Sequence, residues 1–191
     1  MRFVLRLLLM FSLALSVGFG LSYFSLTDGW LFSAYRIGPW ITWPAMGSPS
    51  PDPYTRAFLA RTGALQLGQS EGLQFTAQTD SSGAPLDRNC RYHLEGHTPV
   101  ATFWTLVAVD PDGVNIARPD GMLAFNSTRL TRGPEGAIQI YVSKWLSPAN
   151  WLEITGEGPF SLVLTLYDSA ILSGFGSDAQ TMPAITNEGC A

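Results

Sequence analysis

Charged residues are scarce in this chain. They make up 14% of its 191 residues, against about 25% in typical soluble domains. The formal net charge is -4, and the basic residues form no run or face that would match a nucleic-acid backbone. The sequence therefore argues against a nucleic-acid partner. Its length fits one domain with a full core plus an appendage.

Recognised catalytic motifs are also missing. The pattern Gly-x-Ser-x-Gly does not occur, and the stretch 173–177 (SGFGS) lacks the elbow of a catalytic serine and the lysine of a phosphate loop. Asp110 and Asp112 resemble the opening of a calcium loop, but no later ligand follows at the required spacing, so a hairpin turn is favoured. These absences favour a protein without a catalytic centre or a cofactor.

Histidine is rare, and both copies stand close together at His93 and His97, on either side of Glu95. On an extended strand the three side chains would share one face, and imidazole and carboxylate groups are ordinary ligands of zinc or iron. Gly96 and Pro99 indicate that the strand ends here, so surface or turn residues are the favoured interpretation. A metal-dependent enzyme that uses these three residues is an alternative.

The two cysteines, Cys90 and Cys190, lie far apart and show no Cys-x-x-Cys spacing for zinc or thiol redox chemistry. They form either one structural disulfide or two separate thiols. A disulfide is favoured if the domain lies outside the cytoplasm, because disulfides persist in oxidising compartments.

Leu7 to Leu26 contains no charged residue, and a helix of this length spans a hydrocarbon core of about 30 Å. Arg2 and Arg6 precede the run and Asp28 follows it. The positive-inside rule then predicts a single-pass anchor in the inner (cytoplasmic) membrane, with the C-terminal domain in the periplasm. A cleaved signal peptide is the competing interpretation.

Four regions follow from the patterning. Residues 1–27 are the transmembrane anchor, 28–63 a juxtamembrane aromatic segment, 64–170 a β-sandwich domain and 171–191 an irregular tail. Within the second region, Asp52 and Pro53 start a short amphipathic helix that Gly63 ends. The aromatic residues of the juxtamembrane segment form either an interfacial belt at the membrane surface or the bottom of the domain core. They are Trp30, Phe32, Tyr35, Trp40 and Trp43.

After Gly63 the chain shows short β-type segments separated by Gly-, Pro- and Asp-rich turns. From Val100 to Val109 both alternating faces are largely apolar, which predicts a central strand covered on both sides. Strands at this spacing predict an all-β fold, an antiparallel sandwich or jelly roll. The segments are 72–78, 90–95, 100–110, 121–127, 136–143 and 159–168.

Several stretches together resemble a bacterial family catalogued as domain of unknown function twelve-fourteen. The matching stretches are Asp52–Ala57, Cys90–Gly96, Pro99–Leu106, Asn150–Leu152 and Phe160–Asp168. The resemblance implies a β-rich envelope domain, with a membrane anchor in short members. It offers no catalytic residue to transfer.

Tryptophans near a predicted loop supply the remaining candidate site. Trp145 and Trp151 flank Ser147–Asn150, and with Asn150 they are candidate ligand-binding residues. The favoured function is a membrane-anchored periplasmic module that binds or assembles with another envelope protein or a glycan. A glycan-binding module built on the loop tryptophans and a plain structural spacer are further alternatives.

Overall fold

The computed structural model describes residues 2–28, 34–63, 67–68, 70–169 and 181–191. The described chain begins with a long helix and continues as strands, with one more α-helix and one short 3-10 helix (Pro134–Gly136) inserted. The elements are α1 (Arg2–Asp28), β1 (Tyr35–Ile37), β2 (Trp40–Thr42), α2 (Pro53–Thr62), β3 (Gly72–Ala77), β4 (Cys90–Gly96), β5 (Ala101–Val109), β6 (Phe125–Asn126), β7 (Ile138–Ser143), β8 (Asn150–Glu153), β9 (Ser161–Ser169) and β10 (Ala184–Cys190).

Helix α1 is long and apolar enough to cross a membrane, over the 23 residues from Arg2 to Phe24. Its side chains over this stretch are exposed, so the helix is not part of the domain core. A signal sequence has the same length and composition.

Helix α2 begins and ends where its sequence predicts. The Asp52 carboxylate accepts hydrogen bonds from the backbone N–H groups of Tyr54 (3.0 Å) and Thr55 (3.1 Å), which satisfies the free donors of the first turn. At the other end Gly63 adopts a left-handed conformation (φ 61°) and donates its N–H to the Leu59 carbonyl at 2.9 Å. These two caps fix the helix in place.

In the described part of the chain, the strands form two sheets. The large sheet has the order β1-β2-β3-β9-β5-β6 and is antiparallel throughout. The small sheet has the order β10-β4-β7-β8, and its β7–β8 pair is parallel. The protein is therefore mostly β, with a sandwich-like arrangement of one antiparallel and one mixed sheet.

The core lies between the inner faces of the two sheets. From β5 it receives Trp104, Leu106 and Ala108, and Trp104 is only 2% exposed. The prediction that β5 is covered on both faces is wrong for the outer face. There Phe103, with the other outward residues of β5, is only half-buried. Branched and aromatic side chains shield one another on such a face, so an apolar pattern does not require a second covering layer.

Two of the juxtamembrane tryptophans belong to the core. Trp40 is 0% exposed and donates its indole N–H to the Pro183 carbonyl at 2.8 Å. Trp43 is buried and stacks on Phe58 of α2, with ring centroids 4.3 Å apart. For these residues the core interpretation is correct, because β2 adds Trp40 to the large sheet and Trp43 packs against α2. Trp30 and Phe32 lie outside the described residues.

The C-terminal tail contains a strand that the sequence did not reveal. β10 pairs with β4, and Cys190 lies opposite Cys90, to which it is joined by a disulfide. Of the seven residues of β10, Ile185 alone is buried, so the segment lacks the apolar alternation that identifies a strand. Residues 171–180 of the predicted irregular tail lie outside the described residues.

Substitutions on the two faces of β5 test whether the inner face is packed more tightly than the outer face. Replacing Trp104 by Ala opens a cavity in the core, and we expect the free energy of unfolding to fall by about 3–5 kcal/mol. Phe103→Ala removes an aromatic ring from the half-buried outer face and is expected to cost about 1–2 kcal/mol. Urea unfolding of the detergent-solubilised protein measures both. Equal losses would show that the two faces are packed alike.

Candidate functional site

The outer face of the small sheet carries a row of aromatic rings. His93 on β4 lies opposite Tyr141 on β7, and Tyr141 lies beside Trp151 on β8. We call His93, Tyr141 and Trp151 the aromatic row. Thr186 of β10 lies opposite His93 and extends the row to the edge of the sheet. The row therefore crosses the sheet from one side to the other.

The alternation of each strand places these rings away from the core. On β4, Tyr92 and Leu94 are buried between the sheets, whereas His93 is half-buried and Glu95 is exposed. The same alternation on β7 and β8 buries their apolar residues inward and turns Tyr141 and Trp151 outward. Three rings thus stand on a face where core packing does not require them.

The rings of the aromatic row stand side by side. The His93 and Tyr141 rings are stacked, with centroids 4.5 Å apart and planes inclined by 13°. Trp151 donates its indole N–H to the Ser143 carbonyl at 3.1 Å. Within the described residues, Nε2 of His93 is buried without a hydrogen-bond partner.

The three predicted metal-ligand candidates make separate contacts. His93 stacks on Tyr141, and Glu95 accepts a hydrogen bond from Gln139 at 3.2 Å. His97 lies beyond the end of β4, with Nε2 3.3 Å from the Glu135 carbonyl oxygen. Among the described residues, no group of three or more His, Cys, Asp and Glu side chains is placed to hold a metal ion. The geometry gives the metal-dependent alternative no support.

The side chain of Asn150 is buried and hydrogen-bonds to neighbouring backbone groups. Its side chain is 6% exposed, and its Nδ2 donates to the carbonyls of Thr131 and Gln139, each at 2.7 Å. Its Oδ1 accepts the N–H of Thr131 at 2.9 Å. Because these bonds use both the nitrogen and the oxygen of the side-chain amide, the buried position of Asn150 argues against the predicted ligand role.

These bonds explain how two parallel strands are joined by residues 144–149 alone. Parallel neighbours usually need a crossover of about a dozen or more residues. Here Asn150, the first residue of β8, pairs with Ile140 of β7. The short connection therefore has to return along β7 by only a few residues before β8 begins. Ala149 makes the reversal with a left-handed backbone (φ 60°), a conformation that needs support from its surroundings. Asn150 provides that support by joining β8 to β7 and to Thr131.

Trp145 and Trp151 are held near the same point. Trp145 is 39% exposed, and its carbonyl accepts hydrogen bonds from the hydroxyls of Ser143 (2.6 Å) and Ser147 (3.2 Å). Trp151 bonds to the carbonyl of the same Ser143. The backbone of Trp145 and the indole of Trp151 are therefore both attached to Ser143. The sequence identified both tryptophans, but Tyr141 was missed because its neighbours depend on strand register.

Two residues with shifted pKa values stabilise the fold. Burial raises the pKa of Tyr92, whose hydroxyl oxygen accepts the Asp87 N–H at 2.8 Å. Burial alone would raise the pKa of Asp80, but bonds from the Ser82 hydroxyl and from backbone N–H groups, including that of Ala84, outweigh it and lower the pKa. Asp80 lies in the turn between β3 and β4, and Tyr92 lies within β4.

Comparisons with known proteins identify a family and a fold. A family described as "Protein of unknown function (DUF1214)" matches residues 71–170. Among curated proteins, no sequence matches the chain. The crystal structure of the VPA0106 protein from Vibrio parahaemolyticus is similar with a TM-score of 0.56 and 21% identity. That similarity covers 70% of this chain and 35% of the Vibrio protein.

A second similar structure is an uncharacterised protein from Burkholderia cenocepacia, with a TM-score of 0.42 and 14% identity. It covers 61% of this chain and 29% of the Burkholderia protein. The chain thus spans about a third of the length of each of these proteins. The Vibrio similarity shows the fold alone.

Asn150→Ala tests the structural position of this residue. The substitution leaves the Thr131 and Gln139 carbonyls without their partner, so we expect a loss of about 2–4 kcal/mol in the free energy of unfolding. Asn187→Ala is the matched control, because Asn187 is exposed and its amide bonds within its own strand, accepting from the Gly189 N–H and donating to Cys190 Sγ. We expect this control to cost less than about 1 kcal/mol. Urea unfolding measures both variants, and similar values would contradict the structural role.

Proposed function

The chain belongs to the DUF1214 family of proteins of unknown function, and on that premise we propose that it is a membrane-tethered binding module of the cell envelope. The observation that carries the proposal is the aromatic row on the outer face of the small sheet. In this proposal α1 is a retained anchor and the sandwich lies in the periplasm. Another envelope component binds the row.

The tether rests on α1 and its flanks. Arg2 and Arg6 lie at the start of the apolar span, whereas Asp28 ends the helix. Basic residues stay preferentially on the cytoplasmic side, so this order supports export of the rest of the chain. The disulfide between Cys90 and Cys190 supports the same compartment, because such bonds persist outside the cytoplasm.

The binding surface rests on the chemistry of the aromatic row. Aromatic rings are enriched at binding surfaces, where they offer a large contact area together with a polar atom. Around the row stand Glu95 and Gln139, which supply hydrogen-bonding groups. We propose a protein of the envelope as the ligand. The exposed Trp145, in the loop that leads into β8, favours a glycan as the second candidate, since sugar rings stack on such side chains.

The proposal keeps the predicted division into an anchor (1–27), a juxtamembrane segment (28–63) and a β-sandwich (64–170). It assigns β10 to the sandwich, because this strand completes the small sheet. The binding surface then belongs to a single folded unit that includes the C-terminal residues.

Photo-crosslinking from two tyrosine positions tests the binding surface. A photoreactive amino acid replaces Tyr141 in the aromatic row or Tyr167, an outward residue of β9 on the large sheet. We expect a discrete adduct in native membranes from position 141 and none from position 167. For the glycan candidate, Trp151→Ala is expected to reduce retention on purified cell-wall glycan about ten-fold.

The outcomes separate the candidates. A protein adduct from position 141 supports the first candidate, and Trp151-dependent retention on the glycan supports the second. Equal adducts from both positions, or no adduct and no retention, would contradict a binding role and leave a spacer.

A further inference from the structure

Basic residues are unevenly distributed along the chain. Between residues 29 and 70 there are three arginines, Arg36, Arg56 and Arg61, and one acidic residue, Asp52, which gives a net charge of +2. Residues 71–191 contain 6 basic and 13 acidic residues, which gives -7. The part of the chain that follows the anchor is thus positive, although the sandwich as a whole is negative.

Helix α2 carries two of these arginines on its solvent side. Thr55 and Leu59 are buried and attach the helix to the domain, whereas Arg56 and Arg61 are exposed. At 100° per residue the two arginines flank the side opposite this buried stripe. The carboxylate of Asp52 is engaged in capping the helix and in a bond with the Thr55 hydroxyl. The exposed side of α2 is therefore positively charged.

Helix α2 lies next to α1, so its charge is close to the candidate anchor. Cα atoms of α1 and α2 approach within 8 Å of one another. Electrostatic attraction to a charged surface extends over about 8 Å at physiological ionic strength. If α1 crosses the membrane, α2 lies within reach of the lipid headgroups. Anionic headgroups are the ones that attract arginine side chains.

We propose that Arg56 and Arg61 bind anionic phospholipid headgroups and hold the sandwich against the membrane through α2. This inference rests on the proposed function, because it requires α1 to be the anchor. The negative charge of the sandwich makes the attachment directional, since an anionic surface attracts α2 and repels the rest of the domain. The tether is then a fixed attachment with one side of the domain toward the bilayer.

Fluorescence quenching on the full-length protein in lipid nanodiscs tests this attachment. A cysteine at the exposed Ala60 of α2 carries an environment-sensitive dye, and the bonded Cys90 and Cys190 do not react. Spin-labelled headgroups quench the dye only when α2 lies at the bilayer surface. The discs contain either neutral phosphatidylcholine alone or a mixture with phosphatidylglycerol.

We expect stronger quenching in anionic than in neutral discs, and a loss of the difference at high salt. The double variant Arg56→Gln with Arg61→Gln is expected to lower the ratio of membrane-attached to detached domain by about 30-fold. Each arginine contributes about five-fold to this ratio. Lysine at both positions keeps the charge and is expected to retain most of the effect. Arg118→Gln with Arg129→Gln makes the same charge change on the sandwich and is expected to have little effect.

The experiment distinguishes a failure of the proposed headgroup binding by α2 from a failure of α1 as the anchor. Quenching that is equal in both kinds of disc, or that is lowered equally by the control pair, would overturn the role of α2 while the anchor stands. Failure of the protein to remain with neutral discs would instead contradict the anchor.

Discussion

The burial of two sheet faces against each other is the constraint on which the rest of the structure depends. β3, β5 and β9 supply most inner residues of the large sheet, and β4 and β7 supply most of those of the small sheet. Since alternate residues of a strand point to opposite faces, this packing also fixes which residues face outward. The positions of Tyr141 and Trp151 on the surface are therefore a direct consequence of the core.

The small sheet needs additional fastening because its outer strands contribute little to the core. β10 buries a single side chain, Ile185, and is joined to β4 by the disulfide of Cys90 and Cys190. The model of loop-closure entropy gives such a bond about 4–5 kcal/mol for a loop of this length. At the other edge, Asn150 joins β8 to β7 and to the chain at Thr131. These two fastenings keep the four strands, and so the aromatic row, in register.

Local signals predicted much of the fold, whereas the site depended on pairings that local signals do not encode. Asp52 and Gly63 cap a helix within their own neighbourhood, so both ends of α2 were predictable. β10 was missed because its residues are mostly polar and its partner lies about a hundred residues away. The position of Tyr141 between His93 and Trp151 depends on the register of three strands, one of them parallel. Sequence reasoning gave Asn150 a ligand role because an exposed and a buried asparagine look the same without the fold.

Cysteine labelling of the membrane topology tests the central claim, that a β-sandwich is tethered across the membrane from Arg2. Val114→Cys places a thiol on an exposed hairpin (60% exposed), and the native cysteines are bonded. In intact spheroplasts, a membrane-impermeant maleimide is expected to label this thiol before lysis. A cysteine added ahead of Arg2 is expected to react only after lysis. Labelling of Val114→Cys only after lysis would contradict the account.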